Sequence, residues 1–393
     1  MATVANTQLP FDPSVLATEQ RRALDAAWIP LVKAAERHEF GGAVALVVKD
    51  GRMVLHRATG WAVREPEAER TPMSVDTIFD VASLTKVTAT LPSILQLISA
   101  GKIGLDQPIG EILGEFGTDG MIGRVTISRL LTHSAGFRDW LPVFLEASGP
   151  DAYLRAFVES QPEWEPGTRI VYSDPSFITL GEVVKRVTGQ RVDAYAREHV
   201  FGPLEMRDTM FLPPPQFRER IAATEIGNAF EAEKAPDAAP VNGGWRTDLL
   251  RGQVHDGNAW YGFAGVAGHA GLFSTALDLA KYGQAWLDGT VPGVSADLLD
   301  LAVTDQANVD TEIERRGLGW RLKPKESNEP EDSGFGLNSS AYGHTGFTGT
   351  CYWMDPATRV FCCLLTNRVH PTVTNEYMKT RAEFNQAVNE ALA

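Results

Sequence analysis

Ser83 and Lys86 stand three residues apart in the stretch IFDVASLTKVTATLPSILQLI. Where a helix begins, that spacing puts both side chains on one face. A buried lysine amine there can take the serine proton, and the positive end of the helix favours negative charge developing at Ser83. The chemistry this suggests is nucleophilic attack by a serine. A second group is Tyr172-Ser173-Asp174 in EPGTRIVYSDPSFITLGEVVKRVTG. A phenol pulled down by a neighbouring ammonium can act as a general base. A third is His344-Thr345-Gly346-Phe347 in AYGHTGFTGTCYWMDP. Its glycines read as a close approach of backbone to a ligand, and the Phe347 N–H paired with the Ser83 N–H would make an oxyanion hole. Each motif also has a plainer reading. Ser83 would cap a helix beside a solvated Lys86, Asp174 would cap the helix after it, and the glycines would form a turn beside a bulge.

Taken together and in this order, the three motifs resemble the serine β-lactamase and penicillin-binding-protein superfamily, most of all its class C β-lactamase-like branch. That branch includes DD-peptidases, D-aminopeptidases and family VIII esterases. The superfamily pattern is S-x-x-K, then Y-x-N, then K/H-T-G. LLTHSAGF (130–137), FGPLEMRDTMF (201–211) and GHAGLFSTALDLA (268–280) add to the likeness. The resemblance implies Ser83 as the acylated nucleophile, Lys86 as its proton partner and Tyr172 as the base. It implies His344, Thr345 and Gly346 as the substrate-flanking strand, with Phe347 N–H as an oxyanion donor. Two positions depart from the pattern. Asp174 replaces Asn and cannot donate an amide hydrogen bond to an acylamino group. His344 replaces the fixed positive charge of lysine with one that is absent or pH-dependent.

The function expected from these departures is hydrolysis of carboxylic esters through an acyl-enzyme on Ser83. The alternatives are an amidase or D-amino-acid peptidase, a weak β-lactamase, an acyltransferase, or a non-catalytic binding protein on the same fold. His133, His255-Asp256 and His269 read as loop-fixing or cleft-lining groups. Trp245, Trp260 and Tyr261 read as core or as an apolar wall for an acyl group. The substrate would be a small ester or amide. No cofactor and no metal is implied: there is no GxSxG, GxxxxGK[ST] or HExxH, and the histidines lack metal-ligand spacing.

The elements that must carry these groups follow from hydrophobic spacing. Residues 17–38 have helical periodicity through Leu24, Ala27, Trp28, Leu31, Val32 and Ala35. Two β-rich runs flank Asp50-Gly51, a hairpin signal. Helices are predicted near 84–100, 126–132, 150–160, 176–189, 191–199, 276–288 and 373–392. Arg169–Tyr172 reads as strand-like. Tyr342–Asp355 and Val360–Asn367 read as a strand pair turning at Asp355-Pro356. The fold class is therefore α+β, an antiparallel sheet flanked by helices with a mostly helical insertion. The sheet domain would take residues 1–85 and 266–393, the helical domain 86–265, and the cleft would lie between them.

The chain has 393 residues, a length that suggests two to three domains. It carries 50 acidic residues against 36 lysines and arginines, a net charge of −14. Such a chain has no electrostatic drive toward nucleic acid or anionic lipid. No apolar run reaches the roughly 20 residues that cross a bilayer. No Lys or Arg precedes Arg21, and no apolar leader core follows Met1, so the expected location is cytoplasmic. Cys351, Cys362 and Cys363 are odd in number. The adjacent pair must point to opposite strand faces, so all three read as small core residues.

Overall fold

The computed structural model describes residues 8–307, 309, 314–324 and 338–393. Helix α1 (Thr18–Glu36) leads into the hairpin β1 (Gly42–Lys49) and β2 (Arg52–Val63). Asp50 and Gly51 turn it with φ of 50° and 74°, the left-handed pair that a two-residue hairpin requires. Short strands β3 (Thr71–Pro72) and β4 (Phe79–Asp80) follow. The helix predicted at 84–100 is two pieces: a π-helical turn over Lys86–Thr90, then α2 (Leu91–Ser99). The middle of the chain supplies α3 (Ile127–Leu131), α4 (Pro150–Ser160), α5 (Asp174–Thr188), α6 (Val192–Ala196), β5 (Met210–Phe211) and α7 (Ala229–Lys234). Then come β6 (Leu272–Ser274), α8 (Ala276–Leu287), α9 (Ala296–Ala302), β7 (Arg315–Arg316) and β8 (Arg321–Leu322). The chain finishes with β9 (Tyr342–Gly346), β10 (Thr350–Asp355), β11 (Val360–Thr366) and α10 (Tyr377–Leu392).

One eight-stranded sheet runs β3-β2-β1-β11-β10-β9-β8-β7, with antiparallel pairing throughout. This is the α+β arrangement expected from the sequence. Strands β1, β10 and β11 are buried on both faces, so their sequences are almost wholly apolar. Alternate residues divide between two cores. Ala43, Ala45, Val47, Cys351, Cys362 and Leu364 face Trp28, Leu31, Phe384 and Val388 of α1 and α10. Val44, Leu46, Val48, Phe361, Cys363 and Leu365 face the other way, toward Leu279, Tyr282 and Trp286 of α8. Cys362 and Cys363 thus lie in different cores, and all three cysteines are free and buried. Among the described residues, no helix is long and apolar enough to cross a membrane.

Two sequence expectations need correction. The strand read across Tyr342–Asp355 is two strands, β9 and β10, folded back on each other with Gly346 opposite Thr350. Gly349 takes φ 104° in that turn, and a Cβ there would meet Thr366 Oγ1 at 2.1 Å. The glycine-rich turn of the plainer reading is thus present, as the corner of a hairpin, and the strand pair becomes a three-strand meander. Arg169–Tyr172 joins no strand. Its backbone is tied elsewhere, with the Val171 N–H donating to the His133 carbonyl at 2.9 Å. A small sheet of β4, β6 and β5, too short to leave a periodic signal, was not foreseen.

Candidate active site

Ser83 sits on a tight turn between β4 and the π-helical segment. The N–H groups of Leu84, Thr85 and Lys86 close back on the carbonyls of Val81, Ala82 and Ser83 at 2.9–3.0 Å. Ala82 holds φ 46°, a left-handed conformation that costs a non-glycine residue about 1–3 kcal/mol. The surroundings enforce it. Asp80 Oδ1 accepts from the Ala82 N–H at 2.9 Å, and Asp80 Oδ2 accepts from the His255 N–H at 2.7 Å. Thr348 and Thr350 donate their hydroxyls to the carbonyls of Asp80 and Val81 at 2.7 and 3.1 Å. The β9–β10 hairpin is thereby bolted to the serine turn.

Lys86 is fully buried. Its Nζ donates to Ser83 Oγ at 3.0 Å and to the His269 carbonyl at 3.2 Å, and it lies 2.7 Å from Asp174 Oδ1. It also stands 4.8 Å from the centre of the Tyr172 ring. Burial opposes the ammonium, but the Asp174 carboxylate and the Tyr172 hydroxyl outweigh it and raise the Lys86 pKa. A solvated lysine is thus ruled out.

Tyr172 is placed by its neighbours. Ser173 caps α5, its Oγ accepting from the Ser176 N–H at 3.2 Å, so Asp174 is the first residue of the helix and not its cap. His133 Nδ1 accepts from the Ser173 N–H at 3.0 Å, and its ring packs 4.7 Å from Tyr172. The Tyr172 hydroxyl is buried without a hydrogen bond of good geometry. Burial pushes its pKa up, Lys86 pulls it down, Asp174 pushes it up again, and the net direction is upward. The lowering expected from the ammonium is present only as a counterweight, and the phenol keeps its proton.

Ser83 opens on two cavities that share Ser83, Tyr172 and Phe347. One, of about 300 Å³, is lined by Trp140, Phe230, Phe347, Asp139, Asp174, Glu231, Asp256 and Lys234. Glu231 is almost completely buried there. Burial and the Asp256 charge push its carboxyl up to about 7. The other cavity, of about 400 Å³, is lined by His344, Thr345, Gly346 and four arginines, 316, 321, 368 and 381. Glu314 is the one carboxylate among its described lining residues. Arg316 bonds Glu314 through Nε at 3.0 Å and through Nη2. Its Nη1 is buried without a hydrogen-bond partner among the described residues. Burial, then Arg316 and Lys86, depress the His344 pKa well below the ordinary histidine value, so its imidazole is neutral. Its Nδ1–H donates to the Thr345 carbonyl at 2.7 Å.

The structure therefore brings Ser83, Lys86, Tyr172, Asp174, His344, Thr345, Gly346 and Phe347 together. Of the secondary candidates, His255 lines the smaller cavity and donates Nε2–H to Glu225 at 3.0 Å, and His269 pairs with Asp256 at 2.9 Å. Trp260 and Tyr261 instead line a separate cavity of about 720 Å³ that does not include Ser83, and Trp245 is bound through Nε1 to the Ala238 carbonyl. They form no wall at the serine. Asp174, Asp256 and His269 place ligand atoms within 4.8 Å of one another. The cation beside them is the Lys86 ammonium, which Asp256 also senses, and no metal is assigned there. The arginines and the Trp140–Phe230 wall were missed. Arg368 follows an apolar strand and Arg381 sits in the buried face of α10, a placement that offered the available signal.

Comparison with known proteins places the chain in a family and a fold. The family model described as Beta-lactamase matches residues 24–385. A "Putative D-alanyl-D-alanine carboxypeptidase" of Salmonella agona (strain SL483) is 32% identical over 355 residues, covering 84% of this chain and 79% of that protein. A Salmonella schwarzengrund (strain CVM19633) protein of the same name is 33% identical over the same shares. Among solved structures, EstCE1, "a hydrolase with promiscuous acyltransferase activity", aligns with a TM-score of 0.71 at 20% identity, covering 95% of this chain and 99% of that one. A class C beta lactamase from Rhodobacter sphaeroides aligns with a TM-score of 0.70 at 20% identity, covering 95% and 100%. At that identity the two structures speak for the fold alone.

Proposed function

The chain belongs to the beta-lactamase family of serine hydrolases, and on that footing we propose that it is a carboxypeptidase acting on peptides with a free C-terminal carboxylate, of the D-alanyl-D-alanine kind. One observation carries this reading: the arginine-lined cavity beside Ser83. In a chain of net charge −14, the gathering of Arg316, Arg321, Arg368 and Arg381 in one cavity, with Glu314 the one carboxylate among its described lining residues, suits an anionic group. A buried guanidinium N–H without a partner is costly unless a ligand satisfies it, and Arg316 Nη1 is such a group among the described residues. Arginine matches a carboxylate in geometry as well as charge. The positive charge that His344 does not supply is thus supplied by its neighbours. The names of the Salmonella relatives support the same choice.

In this reading Ser83 attacks the penultimate carbonyl, the Tyr172 phenol gives its proton to the leaving amine, and water then releases the acyl group. The preference for simple esters drawn from the sequence rested on His344 and Asp174. The arginines remove the first half of that argument, and Asp174 alone keeps esters as the second reading.

The test compares a peptide ending in D-Ala-D-Ala, its C-terminal amide and p-nitrophenyl acetate. The free acid is expected to release D-Ala and the amide is not. Loss of a charge-assisted hydrogen bond is worth roughly 1.5–3 kcal/mol, so Arg316→Ala is expected to cut kcat/KM on the free acid about 10- to 150-fold. The same variant should leave the acetate ester nearly unchanged, and Ser83→Ala should abolish all turnover. Ester turnover with no peptide cleavage by the wild-type enzyme would restore the esterase reading.

A further inference from the structure

Ser83 must lose a proton to act, yet both groups expected to take it already hold one. Lys86 is an ammonium paired with Asp174 at 2.7 Å, and Tyr172 is a buried phenol. The carboxylate in contact with this set is Asp174, 2.7 Å from Lys86 Nζ. Its Oδ1 is buried, pairs with Lys86, and has no hydrogen-bond donor of good geometry among the described residues.

We infer that Asp174 is the acceptor of the Ser83 proton, acting through Lys86. As Ser83 Oγ attacks the substrate carbonyl, its proton passes to Lys86 Nζ across the 3.0 Å hydrogen bond while a Lys86 N–H proton passes to Asp174 Oδ1 across 2.7 Å. One O–H bond breaks at Ser83 and one forms at Asp174, and Lys86 ends with the three N–H bonds it began with. The lysine stays cationic, and the negative charge that leaves Asp174 reappears on the substrate carbonyl oxygen, where the Ser83 and Phe347 N–H groups are placed to receive it. An Asn at this position, as in the superfamily pattern, could not accept the proton. The departure that weakened the sequence match is, on this account, the residue that adapts the site. Lys86 is faced by the Tyr172 ring and the His269 carbonyl, its charge is felt by Asp256, His133 and His344, and Arg316 stands 5.6 Å from the centre of the Tyr172 ring. His133 and His344 are held neutral, chiefly by burial.

The inference rests on Ser83 being the nucleophile and is independent of the peptide substrate, so its test uses neither peptide nor ester. The second-order rate of Ser83 modification by a serine-reactive phosphonate is measured against pH, with the adduct located by mass spectrometry. At pH 7, Asp174→Asn is expected to react at least ~100-fold more slowly than wild type, the lower range of general-base effects. Above pH 8 its rate should climb about tenfold per pH unit, because Lys86 without its carboxylate loses a proton and becomes the base itself. Wild type should show no such climb, and Asp174→Glu should recover most of the wild-type rate. An Asp174→Asn rate near wild type with the same pH dependence would overturn the inference. So would a slow rate that stays flat with pH, since a purely structural loss has no reason to be rescued by alkali. A Ser83 adduct in an enzyme that leaves peptides uncut would sink the carboxypeptidase reading and leave this relay standing; no adduct at all would end both.

Discussion

Gly346 lies directly against Val81: a Cβ on Gly346 would come within 2.5 Å of the Val81 carbonyl oxygen. The glycine of the third motif is therefore a contact between the substrate-flanking strand and the turn that carries Ser83, and the ligand comes second. Gly346→Ala should push β9 away from that turn. Overpacking of this kind typically costs about 1–3 kcal/mol. The expected result is a lowered Tm together with a fall in kcat/KM on every substrate, esters included. Chemical denaturation and steady-state kinetics on the same preparation check it, and a variant with normal stability and normal turnover would show that the two backbones need not touch.

Tyr172→Phe keeps the ring that packs on His133 and Lys86 and removes the hydroxyl. A phenol that stays protonated serves as an acid for the leaving group. Amines are poor leaving groups and need that proton; p-nitrophenolate does not. The variant should lose about 10²–10⁴-fold in kcat on peptides with little change in KM, and less than about tenfold on p-nitrophenyl acetate. Equal losses on both would place Tyr172 in the activation of Ser83 instead.

Glu231 makes stability depend on pH. Its carboxyl is raised from 4.5 to about 7 in the folded protein, so between those values the native state binds the extra proton. Stability contributed by this group is fully present below pH 4.5 and is lost as pH rises through 7. The loss is on the order of 3 kcal/mol. Glu231→Gln should flatten the fall in Tm between pH 5 and 8. The slope is the readout and not the absolute Tm, because the glutamine presents an N–H toward Asn228, which now donates to Glu231 at 2.9 Å. An unchanged slope would mean that Glu231 titrates as an ordinary carboxylate.

How much of this was legible in the sequence depends on the range of the interactions. Ser83 and Lys86 meet through one turn of local structure, and Asp50-Gly51 dictates its own hairpin, so both could be read from neighbouring residues. Tyr172 could be placed at a cleft but its protonation could not, since burial decides that and burial is a property of the whole fold. The arginine cavity was invisible because its members come from β7, from β8, from just beyond β11 and from α10. Nothing in their spacing announces that they converge. The 342–355 run looked continuous because its apolar residues continue across the bend; what breaks it is Gly349, which turns at positive φ and leaves no room for a Cβ beside Thr366 and Arg368 of a neighbouring segment.

The central pairing of β1 with β11 joins residues more than 300 positions apart: the Gly42 N–H donates to Asn367 Oδ1 at 2.7 Å across a separation of 325. During synthesis, therefore, the first hairpin waits with an unpaired edge and two apolar faces until nearly all of the chain has been made. Contacts of such long range form slowly, and exposed strand edges invite association with other chains in the interval. The β9–β10 hairpin that braces the serine turn comes equally late. A ribosome-bound chain stalled before residue 342 would hold Ser83, Lys86 and Tyr172 and still be inert, and its vulnerability would lie in how long that wait lasts.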